Sequence, residues 1–182
     1  MVNETESNIK PIEAIVCQKD DRDTGYLFRI VDSVEGTADS IYTIIRRVTE
    51  DLERAELADL ADGFETCIIE AIQNATRYAY GGDAEATVDF QYYRSDKEIK
   101  VSIRDFGAGF DYEEFKKTRI LKPNDLIRRD MEALRRYGRQ HKVDEGRLGL
   151  LIAELFMDYV EYKNNTLLMV KKLKPKPGPD NS

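Results

Sequence analysis

The chain has 182 residues, a formal net charge of −7, 41% hydrophobic residues and 35% charged residues. This length and composition suit one globular domain of roughly 100–200 residues with a real core. The negative charge argues against a general nucleic-acid binder, which needs clustered Lys and Arg. No apolar run approaches the about 20 residues of a membrane helix, and the polar N-terminus does not read as a signal peptide. We therefore expect a cytoplasmic protein with no membrane contact.

The cysteine and histidine content excludes two further kinds of site. Cys17 and Cys67 are too few and too far apart for a disulfide framework, and one histidine cannot complete a zinc spacing. Neither cysteine is a good catalytic candidate.

The first elements follow from hydrophobic periodicity. Residues 1–25 are polar and mixed, which predicts a flexible extension. Alternation from Tyr26 to Val34 predicts a strand buried largely on both faces near its start. The period then becomes helical as far as about Leu57, with Thr37 or Asp39 as the N-cap. The apolar residues of this helix are Ile41, Ile44, Ile45, Val48 and Leu52.

A second helix is predicted from about Asp59 to Tyr80, ended by Gly81-Gly82 as a cap and turn. Its apolar stripe consists of Leu60, Phe64, Cys67, Ile68, Ala71, Ile72, Ala75 and Ala79. Glu70, Asn74 and Arg77 lie along one edge of that stripe. Taken alone, they are typical of a solvated flank with an i,i+4 polar pair.

Two alternating strands, Ala86 to Tyr93 and Ile99 to Arg104, form a predicted hairpin that delivers Asp105 to a strand end. The sequence Asp105-Phe106-Gly107-Ala108-Gly109-Phe110 places an acid before two glycines, an arrangement that can line a nucleotide pocket or simply form a tight turn. It also contains the Asp-Phe-Gly of eukaryotic-type protein kinases. That alternative fails because no glycine-rich loop, Val-Ala-Ile-Lys-like strand or His-Arg-Asp loop precedes it, and His141 lies downstream.

The charged segment 110–145 includes a predicted helix near Asn124 to Tyr137, and its length suggests a mobile lid over a nucleotide. Its basic residues are more typical of a solvated helix face than of direct phosphate contacts. The basic residues are Arg128, Arg129, Arg135, Arg136, Arg139 and Lys142.

The C-terminal part predicts one more helix and a closing hairpin. The helix runs from Leu148 to Tyr159, with Gly146 and Gly149 at its start, where free amides and the helix dipole attract phosphate. Its predicted core side comprises Leu148, Leu151, Ile152, Leu155, Phe156 and Tyr159. The hairpin, Tyr159 or Val160 to Lys163 and Thr166 to Lys172, turns at Asn164-Asn165, and the tail 174–182 is expected to be disordered.

This order predicts an α+β fold: a two-layer sandwich with a mixed, mainly antiparallel sheet and helices on one face. The domain would span residues 26–173.

Three boxes occur in a fixed order: Glu70-Ala71-Ile72-Gln73-Asn74-Ala75, the Asp105 loop, and Glu145-Gly146-Arg147-Leu148-Gly149-Leu150-Leu151-Ile152. In this combination the chain resembles the GHKL ATPase superfamily, which has the Bergerat fold. Within it, the chain is similar to the bacterial anti-sigma-factor serine/threonine kinases over about residues 26–173. The resemblance implies the same fold as the periodicity does.

The resemblance also implies ATP and Mg²⁺ as cofactors and a role for each box. Asn74 would be the metal ligand, Asp105 would accept a hydrogen bond from the adenine amino group, and Glu70 would be the catalytic general base. The implied nucleotide-binding residues are Asn74, Asp105, Gly107, Gly109, Gly146, Arg147, Leu148, Gly149 and Thr166.

Three departures from the family pattern bear on function. Arg147 stands where the third of these boxes usually has another glycine, Tyr78 replaces the histidine that usually follows the first box, and the lid is long. The leading hypothesis is a homodimeric kinase that phosphorylates an antagonist protein and binds a sigma factor. The resemblance alone implies these partners and the dimer.

Three alternatives stay open behind this hypothesis. The first is an ATP-dependent interaction module that transfers no phosphate. The second is a histidine-kinase catalytic domain, which the chain disfavours because it has no helix pair bearing a phosphoacceptor histidine. The third is an adaptor without nucleotide.

Overall fold

The computed structural model describes residues 25–81, 83, 86–107, 109, 112–113, 132–133, 136, 140 and 145–174. These residues form a five-stranded sheet and three α-helices. The strands are β1 (Phe28–Glu35), β2 (Thr87–Arg94), β3 (Glu98–Arg104), β4 (Tyr159–Lys163) and β5 (Thr166–Lys172), and the helices are α1 (Ala38–Arg54), α2 (Ala61–Asn74) and α3 (Glu145–Phe156). The strand order is β1-β2-β3-β5-β4. Every pairing between these five strands is antiparallel, which confirms the predicted α+β class.

The hydrophobic core lies on one face of the sheet, between the strands and the helices. Because successive side chains of a strand point to opposite faces, only every second residue reaches this core. The strand residues that do so are Ile30, Val34, Val88, Phe90, Tyr92, Ile99, Val101, Ile103 and Met169, and they form one cluster with the apolar faces of α1, α2 and α3. The result is the predicted two-layer arrangement with helices on one face.

The start of helix α1 is fixed by its N-terminal capping residue. Thr37 has extended backbone angles, and its side-chain oxygen accepts a hydrogen bond from the Ser40 amide at 3.4 Å. This satisfies one of the amides that lack a partner in the first turn. Thr37 is therefore the cap, rather than Asp39. The five apolar residues predicted for this helix are all buried.

The second predicted helix is divided into three segments. A short 3₁₀ turn, Ala58–Leu60, precedes α2, and a π-helical turn, Ala75–Ala79, follows it. At the junction the Thr76 hydroxyl donates to the carbonyls of Ile72 and Gln73. Gly36, just before α1, lies against Thr76, since a Cβ there would be 2.5 Å from the Thr76 methyl carbon. The π-helical turn starts directly after Asn74. It therefore determines the direction of the chain as it leaves the first box.

Helix α3 differs from its predicted bounds at both ends. It begins at Glu145 and ends at Phe156, because the Lys171 side chain donates to the Phe156 carbonyl and the Asp158 amide already pairs with Val170. A cation near the last carbonyls of a helix stabilises that end. Tyr159 is therefore a residue of β4, where it is 48% exposed, and its predicted place on the core side of the helix is wrong.

Some predictions fall on residues outside the described part of the chain. They concern residues 1–24 of the extension, nearly all of the lid 110–145 with its helix near Asn124 to Tyr137, and the tail after Lys174. Within the described residues, no helix has the length and apolar character needed to cross a membrane.

Candidate functional site

Glu70 and Asn74 lie one turn apart near the C-terminal end of α2, and both are half-buried. Their neighbours Ala71 and Ile72 face the core, which places the acid and the amide at its margin, as the helical periodicity predicted. Residues four apart on a helix lie on the same face. The carboxylate and the amide are therefore presented to the same side.

Gly149 of α3 lies directly against Glu70. A Cβ on Gly149 would be 2.6 Å from Glu70 Oε2 and 2.7 Å from Glu70 Cβ, distances that real Cβ atoms do not reach. The absence of a side chain at Gly149 thus lets α2 and α3 approach closely at the acid. Two of the three sequence boxes are in direct contact here.

Gly149 lies beyond the first turn of α3. The helix begins at Glu145, and the first four amides of a helix have no partner within it. In α3 they include the amides of residues 145–147, whereas Gly149 belongs to the second turn. The side chains of Arg147 and Leu148 lie outside the described part of the structure, and Gly146 is placed in the first turn by its backbone alone.

Asp105 follows β3 and is 6% exposed, which is low for an acidic residue. Its Oδ1 accepts a hydrogen bond from the Gly107 amide at 3.0 Å, and its Oδ2 accepts one from the Tyr162 hydroxyl at 3.2 Å. Its own amide donates to the Asn165 carbonyl at 2.9 Å. Buried carboxylates need such partners, and these three bonds fix both the backbone and the side chain of Asp105.

The β4–β5 turn holds the two glycines that follow Asp105. Asn165 donates from its side-chain amide to the Gly107 carbonyl at 2.6 Å. Gly109 has a φ of +73°, and a Cβ there would lie 2.7 Å from the Asn165 side-chain oxygen and 3.3 Å from the Tyr162 hydroxyl. A larger residue at Gly109 would be strained in its backbone and would collide with this turn.

Tyr80 connects the end of the first helical region to the Asp105 loop. Its hydroxyl accepts a hydrogen bond from the Phe106 amide at 2.9 Å and donates to the Thr87 carbonyl at 3.0 Å. The residue after Asp105 is therefore tied to the chain that leaves the π-helical turn. Among the described residues, this hydrogen bond links the segment that follows the first box to the second box.

Thr166 lies beside the same loop through sheet pairing. It opens β5 opposite Arg104, the residue immediately before Asp105, and its hydroxyl donates to the Asn164 carbonyl at 3.3 Å. The structure therefore brings Asp105, Gly107, Gly109 and Thr166 into one cluster, and Glu70 and Gly149 into another.

Tyr80, Tyr162 and Asn165 are site residues that sequence reasoning missed. Asn165 was predicted only as a hairpin turn, and its positive φ of 59° fits that assignment. The tyrosines occupy ordinary positions in their segments. The tyrosines contact Asp105 and its neighbour Phe106, and Asn165 contacts Gly107. All of these contacts depend on pairing between segments distant in sequence.

Cys67 lies near this margin of α2 but has no nucleophilic character. Burial, and then the charge of Glu70, raise the pKa of the Cys67 thiol to about 12, although the Lys171 charge opposes this shift. Since the thiolate is the reactive form, Cys67 stays an inert core residue, as the sequence predicted.

The implied metal and nucleotide would rest mainly on two side chains, those of Asn74 and Asp105. Among the described residues no group of three or more His, Cys, Asp or Glu side chains could hold a metal. Mg²⁺, however, keeps several water ligands and takes others from phosphates, so one protein oxygen suffices. The half-buried amide of Asn74 and the fixed carboxylate of Asp105 fit an Mg-nucleotide in chemical type.

Comparison with known proteins agrees with this geometry. The profile of the family described as "Histidine kinase-like ATPase domain" matches residues 34–171, which include the three helices, β2, β3 and β4, and all but the last residue of β5. The chain is also similar to the serine-protein kinase RsbW of Bacillus subtilis strain 168, with 29% identity over 121 residues. That alignment covers 63% of this chain and 66% of the relative, so the chain spans just under two thirds of the relative's length. The profile match and the five-stranded α+β architecture together establish that the chain belongs to the family of GHKL-type histidine kinase-like ATPase domains.

Proposed function

We propose that the protein is an ATP-binding, anti-sigma-factor-like serine/threonine kinase that phosphorylates an antagonist protein and regulates transcription through sigma-factor binding. The observation that carries the proposal is the contact of Glu70 with Gly149, which joins the acid and amide of α2 to the helix whose first turn would meet the phosphates. Family membership supports ATP binding. The name of the relative, a serine-protein kinase, supports the choice of acceptor.

Base recognition falls to the loop after β3 in this proposal. The Asp105 carboxylate keeps lone pairs free after accepting from Gly107 and Tyr162, because two carboxylate oxygens offer about four acceptor positions. It accepts a hydrogen bond from the adenine amino group. Gly107 and Gly109 bring their backbone close to the base and ribose, and Thr166 lies on the neighbouring strand.

In this proposal, helices α2 and α3 bind the phosphates and the metal. Asn74 would hold Mg²⁺ through its side-chain oxygen, and the first turn of α3, at Gly146, Arg147 and Leu148, would face the phosphates with the free amides of residues 146 and 147. Gly149 holds that turn against α2. When bound, Mg²⁺ neutralises charge that develops on the transferring phosphate.

Glu70 is the proposed general base. It lies one helical turn before Asn74, so a hydroxyl that attacks the terminal phosphate beside Asn74 would be within its reach. The carboxylate takes the proton of a serine or threonine hydroxyl of the antagonist protein. Its packing against Gly149 holds the carboxylate in place, which limits the reorganisation needed during the reaction.

Phosphate transfer from labelled ATP to candidate antagonist proteins tests this function. We expect label on a serine or threonine of one antagonist, and transfer slower by about 10²–10⁴-fold with the Glu70→Gln variant. Tight Mg-ATP binding without transfer to any antagonist would contradict the kinase. Co-purification with a sigma factor tests the second partner, and sedimentation tests the proposed homodimer.

A non-catalytic ATP-dependent interaction module is the second candidate. The substitution of Arg147 for the usual glycine favours it, because a long side chain in the first turn of α3 can block the phosphate from its acceptor. Partner capture that depends on ATP but leaves the nucleotide intact would support this candidate. In either case we place the protein in the cytoplasm.

A further inference from the structure

The face of the sheet that points away from the helices carries apolar side chains from four of the five strands. Successive residues of a strand face opposite sides, and the three helices join the core cluster on the other side. Two neighbouring rows of cross-strand partners cross this outer face: Arg29, Tyr93, Lys100, Val170 and Tyr159, and then Val31, Gln91, Ser102, Leu168 and Glu161. The apolar members of the two rows form what we call the outer patch: Val31, Tyr93, Tyr159, Leu168 and Val170.

The chain enters the sheet across this outer face. The Tyr26 ring lies 4.9 Å from the Tyr93 ring, and the Tyr26 hydroxyl accepts a hydrogen bond from Lys100 at 3.3 Å. Val170, on the same row, is 8% exposed although it does not belong to the core cluster. Gly25 has a φ of +70°, a left-handed conformation that turns the chain just before Tyr26. The residues that precede Gly25 therefore start beside the outer patch.

The sequence before Gly25 contains one apolar run, residues 12–16, which read Ile-Glu-Ala-Ile-Val. Nine residue steps separate Val16 from Gly25, and an extended chain of that length spans about 30 Å. Five strands at their usual spacing cover only about 19 Å from the first to the last. The run is therefore able to reach every part of the outer patch.

We propose that residues 12–16 pack on the outer patch of the same chain. A short tether gives the run an effective concentration in the millimolar range, whereas the run of a second copy is present at the micromolar concentration of the protein. The same chain is therefore the favoured occupant. The inference does not depend on the proposed function, because the outer patch lies on the face of the sheet opposite to α2 and α3.

Disulfide formation in the full chain tests which segment lies on the patch. Ser102→Cys places a thiol in the middle of the outer face, beside Leu168 on the neighbouring strand. With oxidised glutathione it should couple to Cys17, the residue after the run, within one chain. Adding Ile12→Asn and Val16→Asn should slow the coupling, because residues four apart share a face in a helix and in a strand alike. Glu13→Gln is the matched control and should leave the rate unchanged.

Alkylation of Cys17 by iodoacetamide needs no introduced thiol and also serves if Ser102→Cys folds poorly. Cys67 does not interfere, since it is buried and its thiol pKa is raised to about 12. With an effective concentration of about 1 mM and a dissociation constant of about 0.1 mM, the run is docked about 90% of the time. The double variant Ile12→Asn and Val16→Asn should therefore react about 10-fold faster than the unmodified protein. Leu168→Asn should also speed the reaction, and combining all three changes should speed it no further.

Two results would overturn the inference. Equal alkylation rates in the unmodified protein and the variants would show that the run does not dock. A disulfide between two chains, formed faster at higher protein concentration, would make a second copy the occupant. Binding of Mg-ATP should be the same in the unmodified protein and in the double variant, so a failure of this inference leaves the proposed function standing.

Discussion

Gly149 and Glu70 are in van der Waals contact across the α2–α3 interface, with no room for a Cβ between them. A glycine in a helix normally costs about 1 kcal/mol relative to alanine. Here the glycine allows the helix carrying the third sequence box to lie against the proposed general base. The contact therefore links the packing of the two helices to the position of one carboxylate.

Gly149→Ala tests this link. Overpacking costs about 1–3 kcal/mol and exceeds the gain in helix propensity, so we expect lower stability by urea unfolding. Phosphate transfer per folded molecule should fall further, because Glu70 must move. Gly63→Ala is the matched control: its Cβ would collide with the Phe156 ring, away from the acid. It should destabilise without a selective loss of transfer, and equal losses in both variants would contradict the link.

Glu70→Gln and Asn74→Ala should give different signatures. Glutamine keeps the size and helix geometry but cannot take a proton, so transfer should fall by about 10²–10⁴-fold with little change in nucleotide affinity. Asn74→Ala should impair both, since the metal ligand also organises the phosphates. Rapid-quench kinetics and calorimetry measure the two effects. Undiminished transfer by Glu70→Gln would place the base elsewhere.

Asp105→Asn should abolish most nucleotide binding. Mg-ATP at about 100 times its dissociation constant stabilises a folded protein by about 2.7 kcal/mol, or roughly 5–10 °C for a chain of this size. The variant should lose most of that shift. Its side-chain amide nitrogen replaces a carboxylate oxygen, which in the unmodified protein accepts a hydrogen bond from Gly107 or Tyr162. Asp96→Asn, at an exposed turn position, is the control and should keep the shift. A full shift in Asp105→Asn would refute the assignment.

Asp51→Ala should be among the most destabilising changes in the described part of the chain. Asp51 is 2% exposed and accepts hydrogen bonds from Arg94 at 2.7 Å and 2.8 Å and from the Tyr92 hydroxyl at 2.9 Å. Removing one partner of a buried ion pair costs about 3–5 kcal/mol. Glu50→Ala, which breaks the exposed pair with Arg54, should cost less than about 0.5 kcal/mol. Urea unfolding compares the two, and similar losses would contradict the prediction.

Cys67 predicts a specific dependence of stability on pH. Its thiol has a pKa of about 12 in the folded protein, against about 8.5 in an unfolded chain. The folded state therefore holds more protons above pH 8.5, and stability falls as pH rises; below that pH the thiol has no effect. Between pH 8 and 9.5 the loss should be about 1 kcal/mol. In a Cys17→Ser background, Cys67→Ala should remove this slope, and an unchanged slope would show that another group titrates.

The local elements of this fold were predictable because each follows from contacts close in sequence. The period of Ile41, Ile44 and Val48 fixes the buried face of α1, and the Asn164-Asn165 pair fixes the last hairpin turn. The acid and amide of α2 were predictable as well, since their spacing alone puts them on one face. Helix ends were less predictable. The end of α3 depends on Lys171, which reaches it from a strand.

The sequence by itself determined the α+β class, the edge position of Glu70 and Asn74, and the delivery of Asp105 to a strand end, because helical and strand periodicity are properties of neighbouring residues. Only the tertiary structure decided that Gly149 packs on Glu70, that Tyr80 ties the Phe106 amide to the first helical region, and that Tyr162 and Asn165 hold the Asp105 loop. These contacts join residues 26 to 79 positions apart. No local pattern encodes them, since the register of the sheet and the close approach of two helices place them together.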